Sequence, residues 1–115
     1  METDSGKTTS VWMATGDVPA GEPLNADADA GVCVVGAGIA GLSVGYLLAR
    51  EGRNVVVIDD GPVAGGETAR TTAHLSNALD DRYNHLERLH GEKGARLAAE
   101  SHTAAIDFIE ETVES

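Results

Sequence analysis

With 115 residues, 42% of them apolar, the chain has material for one small domain with a modest core, and 3% aromatics means a core of Ala, Val, Leu and Ile. A formal charge of −11, with Lys7 and Lys93 the only lysines against nineteen acidic residues, argues against nucleic acid and anionic membrane as partners, because both would repel the bulk surface. No run approaches the roughly 20 apolar residues of a membrane helix, and Met1 to Ser10 lacks a signal peptide's basic and apolar regions, so a cytoplasmic location is the default expectation.

Residues 1–30 are rich in Thr, Ser, Gly, Pro, Asp and Ala and show no apolar period. They read either as a mobile polar leader or as an arm whose Trp12, flanked by Val11 and Met13, docks on a body formed by residues 31–115. Val32 to Val35 is a continuous apolar run, expected as a parallel-sheet strand buried on both faces. Cys33, the single cysteine, falls inside it and is expected to be a buried, inert hydrophobe. From Ile39 to Glu51 the spacing turns helical, with Ile39, Leu42, Tyr46, Leu47, Leu48 and Ala49 forming a broad apolar stripe. Gly45 should cost that helix about 1 kcal/mol relative to Ala, which close packing on a neighbour would explain. Gly52 is a natural stop.

A second β-branched run, Val55 to Ile58, ends on Asp59 and Asp60. Gly61 to Gly66 is a Gly/Pro loop, and Glu67 to His74 is a polar segment compatible with turns or a helix start. Tyr83 to His90 predicts a short helix with Leu86 and Leu89 inward, broken near Gly91. A longer helix is predicted from Lys93 or Ala95 to Val113, with Leu97, Ser101, Ala104, Ala105, Phe108 and Val113 on one side. His85, His90 and His102 lack metal-ligand spacing and are expected to face solvent, so no metal site is expected.

The chemistry lies in Gly36-Ala37-Gly38-Ile39-Ala40-Gly41, a GxGxxG. Alone the pattern is weak. Here it follows a predicted strand, opens a predicted helix, and is succeeded by a strand ending in Asp59 at the expected distance of about 20 residues. Gly36 permits the tight turn, Gly38 lets backbone approach a pyrophosphate, and Gly41 lets helix pack on strand. Ile39 and Ala40 begin the helix, whose N-terminal N–H groups and partial positive charge suit phosphates. Asp59, with Asp60 beside it, can accept hydrogen bonds from the adenosine ribose. This acid argues against a 2′-phosphate and hence NADP, but leaves NAD and FAD open.

The pieces VCVVGAGIAGLSVGYLLAREGRNVVVID and GGETARTTAHLS, with the Gly-rich loop between them, resemble the N-terminus of the D-amino-acid-oxidase-like superfamily of FAD-dependent oxidoreductases. The leader's Val11-Trp12-Met13 and the helix around Glu100 to Ile109 most resemble a branch that adds a C-terminal Rieske iron–sulfur domain. The resemblance implies an α/β fold: a Rossmann-like FAD/NAD(P)-binding βαβ unit followed by helices, with an incomplete parallel sheet. It implies FAD as cofactor and the oxidation of amines or amino acids, with hydride passing to the flavin. It also implies that the loop after the second strand wraps the pyrophosphate and ribityl chain through Arg70, Thr71 and Thr72. An Arg and two hydroxyls suit phosphate oxygens, although a Thr-capped helix start reads the same way. In the dimethylglycine dehydrogenase branch a Thr-x-His histidine bonds covalently to flavin; Thr72-Ala73-His74 matches loosely, and a polar contact or a surface position are the alternatives.

Superfamily members run to several hundred residues. The expectation is therefore an N-terminal portion of an oxidoreductase, holding the grip on FAD without catalytic residues and inactive alone. A missing substrate-binding part, or a partner chain in a split flavoprotein, would complete it. An NAD-binding Rossmann protein of another class is the remaining alternative.

Overall fold

In the computed structural model, which describes residues 8–115, the element order is α1 (Val11–Thr15), β1 (Val32–Val35), α2 (Ile39–Arg50), β2 (Val55–Ile58), α3 (Gly66–Arg70) and α4 (Tyr83–Glu114). The first seven residues, and most of the Met1 to Ser10 stretch read above for a signal peptide, lie outside the described residues. The chain divides into two compact units, one reaching to Thr72 and one from Ala73 to Ser115.

In the first unit β1 and β2 pair in parallel, Val32 against Val55 through Val35 against Ile58, with α2 as the crossover. β-Branched side chains favour this pleated conformation, and successive ones point to opposite faces. One face carries Val32, Val34, Val55 and Val57 toward α2: a Cβ added at Gly41 would sit 3.2 Å from Val34 Cγ1, and one at Gly45 3.0 Å from Val57 Cγ2. The opposite face carries Cys33 and Val35, and Val35 is 80% exposed. The expectation of a strand buried on both faces is thereby corrected, and with it the buried setting of Cys33. Two strands and one helix form a two-layer unit, which covers one face of the sheet.

The packed side of α2 is also narrower than predicted. Gly45 is its buried residue and Gly41, Leu42 and Leu48 are half-buried, whereas Ile39, Tyr46, Leu47 and Ala49 are exposed. Glycines draw the backbone onto the sheet, so the bulky residues flanking that line are turned outward. Tyr46 instead lies under the Arg50 guanidinium, 5.6 Å from its ring centroid. Gly52, at φ +77, ends the helix as predicted: its N–H donates to Ala49 O at 2.9 Å and that of Arg53 to Leu48 O at 3.0 Å.

The leader contains α1 despite its lack of apolar period. Ser10 starts it, its Oγ accepting from the Met13 N–H at 3.2 Å. In the second unit α4 breaks at Gly91 (φ +74) where the spacing predicts. Its covered positions, Ala95, Ala98, His102, Ile106 and Ile109, are displaced by one residue from most of the predicted stripe. Leu89, Leu97, Ser101, Ala104, Ala105 and Val113 are exposed, while Phe108 is half-buried. Alanines at adjacent positions make two stripes equally apolar, so periodicity alone does not choose between them. His102 is accordingly half-buried rather than solvent-facing, with Nδ1 2.8 Å from Ala98 O. Among the described residues no helix is long and apolar enough to cross a membrane.

Candidate functional site

Gly36 leaves β1 at φ +103, a left-handed conformation that favours glycine, while its N–H extends the ladder to Ile58 O at 2.7 Å. One turn into α2, a Cβ on Gly41 would fall 1.8 Å from Gly36 O. The strand therefore reverses into the helix where lack of space excludes a side chain at Gly41 and the backbone conformation disfavours one at Gly36. Gly38 is the N-cap of α2, and Ile39, Ala40 and Gly41 form its first turn, whose N–H groups lack intrahelical partners and carry the positive end of the helix dipole.

Neighbouring residues brace this turn. Asp59 Oδ2 accepts the Ala37 N–H at 2.6 Å and Oδ1 accepts that of Gly61 at 2.7 Å. Those two bonds, the Ala37 bond foremost, hold the Asp59 carboxyl below its ordinary pKa of 3.8; contacts with Asp60 add to the shift. Ala64 N–H donates to Ala37 O at 2.8 Å, tying the loop after β2 to the same residue. Thr68 Oγ1, from α3, accepts the Ile39 N–H at 3.0 Å and lies 3.1 Å from where a Gly38 Cβ would be. Val35, Gly36, Ile58, Asp59 and Asp60 line an open recess of about 480 Å³ at the carboxyl ends of the two strands. Parallel α/β sheets bind ligands at that end.

Of the residues singled out in the sequence, Gly36, Gly38, Ile39, Ala40, Gly41, Asp59 and Asp60 gather at this end of the βαβ unit. Arg70, Thr71 and Thr72 lie against the leader: Arg70 Nη1 donates to Thr8 O at 2.6 Å, and Trp12 Nε1 to Thr71 O at 3.0 Å. Thr68 was passed over in the sequence. The available signal was the run of hydroxyls after the glycine loop, where a single helical turn from Gly66 to Arg70 puts Thr68 beside the Gly turn and leaves Thr71 and Thr72 beyond it. His74 is exposed.

A family model described as FAD dependent oxidoreductase matches residues 31–114. The chain belongs to this family. It is 35% identical to the Rieske 2Fe-2S iron-sulfur protein YhfW of Bacillus subtilis, over 90% of this chain and 20% of that protein. Identity to the oxidoreductase OrdL of Haemophilus influenzae is 32%, over 80% of this chain and 21% of that protein. Identity to gamma-glutamylputrescine oxidoreductase of Escherichia coli is 33%, over 66% and 18%. The chain thus spans about a fifth of the length of these curated relatives. No solved structure matches it.

FAD is the cofactor of the family, whose fold is Rossmann-like, and the residues present suit its ADP half. A Cβ at Gly36 would meet nothing within 4 Å, so the outer side of the turn is open to a ligand. The Asp59 carboxylate accepts backbone N–H groups through both oxygens, and its further lone pairs suit a hydroxyl donor. The family bears out FAD, the cofactor that the resemblance implied and that the glycine motif and Asp59 alone left open against NAD.

Proposed function

We propose that this chain supplies the ADP-gripping βαβ unit of an FAD-dependent oxidoreductase acting on amines or amino acids, completed by further sequence or by a partner chain. The observation that carries the proposal is the Asp59 carboxylate bonded to the glycine turn at the mouth of the recess. With the Gly36, Ala37 and Ile39 N–H groups engaged within the protein, those of Gly38, Ala40 and Gly41 at the α2 N-terminus hold the phosphates, and Asp59, with Asp60 beside it, accepts from the adenosine ribose. Thr68 offers its hydroxyl hydrogen to the same phosphates, because its oxygen is already engaged by Ile39 N–H. Arg70, Thr71 and Thr72 continue the grip toward the ribityl chain. FAD, when bound, supplies the two-electron acceptor. The amine reading is supported by the likeness to a gamma-glutamylputrescine oxidoreductase and to the wider superfamily.

Calorimetric titration of the purified chain tests the proposal. ADP and FAD are expected to bind weaker than about 1 μM, because one βαβ unit buries only part of a dinucleotide. NADP should bind less well than ADP, and Asp59→Ala should weaken ADP at least about tenfold. The chain alone should oxidise no amine. Absence of ADP binding, or a preference for NADP, would overturn the cofactor reading; sub-micromolar FAD affinity would overturn the need for further protein.

A further inference from the structure

Three side chains tie the leader to the segment that follows the glycine loop. Ser10 Oγ donates to Ala69 O, Trp12 Nε1 to Thr71 O at 3.0 Å, and Arg70 Nη1 to Thr8 O at 2.6 Å. These bonds join residues 59 to 62 positions apart, and all three engage the short stretch from Ala69 to Thr71. Ser10 serves twice, since its oxygen also caps α1 through Met13 N–H. Trp12 remains 48% exposed, so hydrophobic burial alone does not explain its placement; the indole N–H bond does. Carbonyls at the C-terminus of a one-turn helix have few intrahelical donors, and α3 is such a helix. The leader supplies donors to two of them.

We infer that the leader residues Ser10 and Trp12 are positioning residues that strap the Ala69–Thr72 segment in its cofactor-holding conformation. The inference rests on the reading of Arg70, Thr71 and Thr72 as part of the FAD grip, and it assigns the leader a task in binding. Ordering this segment in advance lowers the entropy cost of closing it on the pyrophosphate and ribityl chain. The strap does not touch the glycine turn or Asp59 through these bonds, so the adenosine end of the site does not depend on it.

The test compares the full chain with Trp12→Phe, which removes the indole N–H and keeps a ring, and with Ser10→Ala and Ser10→Thr. Amide hydrogen exchange is expected to quicken about fivefold from Ala69 to Thr72 in Trp12→Phe and Ser10→Ala, with β1, α2 and β2 unchanged. FAD should bind about fivefold more weakly to both variants while AMP, held by the turn and Asp59, binds as before. Ser10→Thr, which retains the hydroxyl, should restore both readings. Unchanged exchange in the Ala69–Thr72 segment, or equal weakening of FAD and AMP, would overturn the strap. Unmodified chain that binds neither AMP nor FAD would instead overturn the cofactor reading on which it rests.

Discussion

Asp59 couples the chemistry of one side chain to the shape of the turn. Its carboxylate is exposed, yet it accepts two backbone N–H groups, which favour the charged form and lower its pKa below 3.8. A group with a lowered folded pKa contributes stability above its unfolded value, and that contribution is lost as pH falls through the folded one. The contacts to Ala37 and Gly61 are therefore expected intact at neutral pH and released on acidification below 3.8. Amide chemical shifts of Ala37 and Gly61, followed by NMR, should titrate together with a midpoint under 3.8, and Asp59→Asn should abolish that step. A midpoint at or above 3.8 would contradict the bonding. The carboxylate at the end of β2 was legible from spacing alone. Its bond to Ala37 was not, because it spans 22 residues and depends on how β1 and β2 are registered.

At the scale of the element, α2 is defined by what it lacks. Glycine at 41 and 45 costs helix propensity, and it is repaid by a close approach to β1 and β2. Gly45→Ala should be nearly neutral in urea denaturation, since about 1 kcal/mol of gained propensity offsets a methyl group 3.0 Å from Val57 Cγ2. Gly45→Val adds two more methyl groups than Ala to that space and should lose about 2 kcal/mol. Equal stability of the two variants would show that α2 is not pressed on the sheet. Helix ends were readable here, at Gly52 and Gly91, because a left-handed residue is a local requirement that glycine meets. Helix faces were read less well: Tyr46 and Ala49 in α2 and Leu97 and Ala105 in α4 are exposed. A face is set by its neighbour, and small residues next to large ones leave the choice to packing.

At the scale of the whole chain, interior is scarce. Among the described residues the only buried apolar side chains are those of Ala37 and Ala95, neither of them completely, and Val35 and Ile58 stay open on the far face of the sheet. Parallel sheets normally have both faces covered, and an isolated pair of strands is marginal. With a net charge of −11, self-repulsion weighs on that small core. Raising NaCl from about 0.1 to 1 M should therefore raise the thermal midpoint, as the Debye length falls from about 10 to 3 Å. A midpoint that stays constant or falls with salt would show that the acidic surface costs the fold nothing.

The Gly36–Gly41 turn, the two β-branched strands, the acid at Asp59 and the stop at Gly52 were fixed by local requirements: a φ angle, a side-chain period, a spacing. These sufficed to place the βαβ unit. The remainder needed the tertiary structure. Only folding brings Thr68 to Ile39 N–H, Trp12 to Thr71 O and Arg70 to Thr8 O, and only folding leaves Cys33 and Val35 uncovered. The physical reason is common to them all. Each depends on contacts between residues far apart in the chain, whose partners carry no periodic or positional mark in the sequence that would pair them in advance.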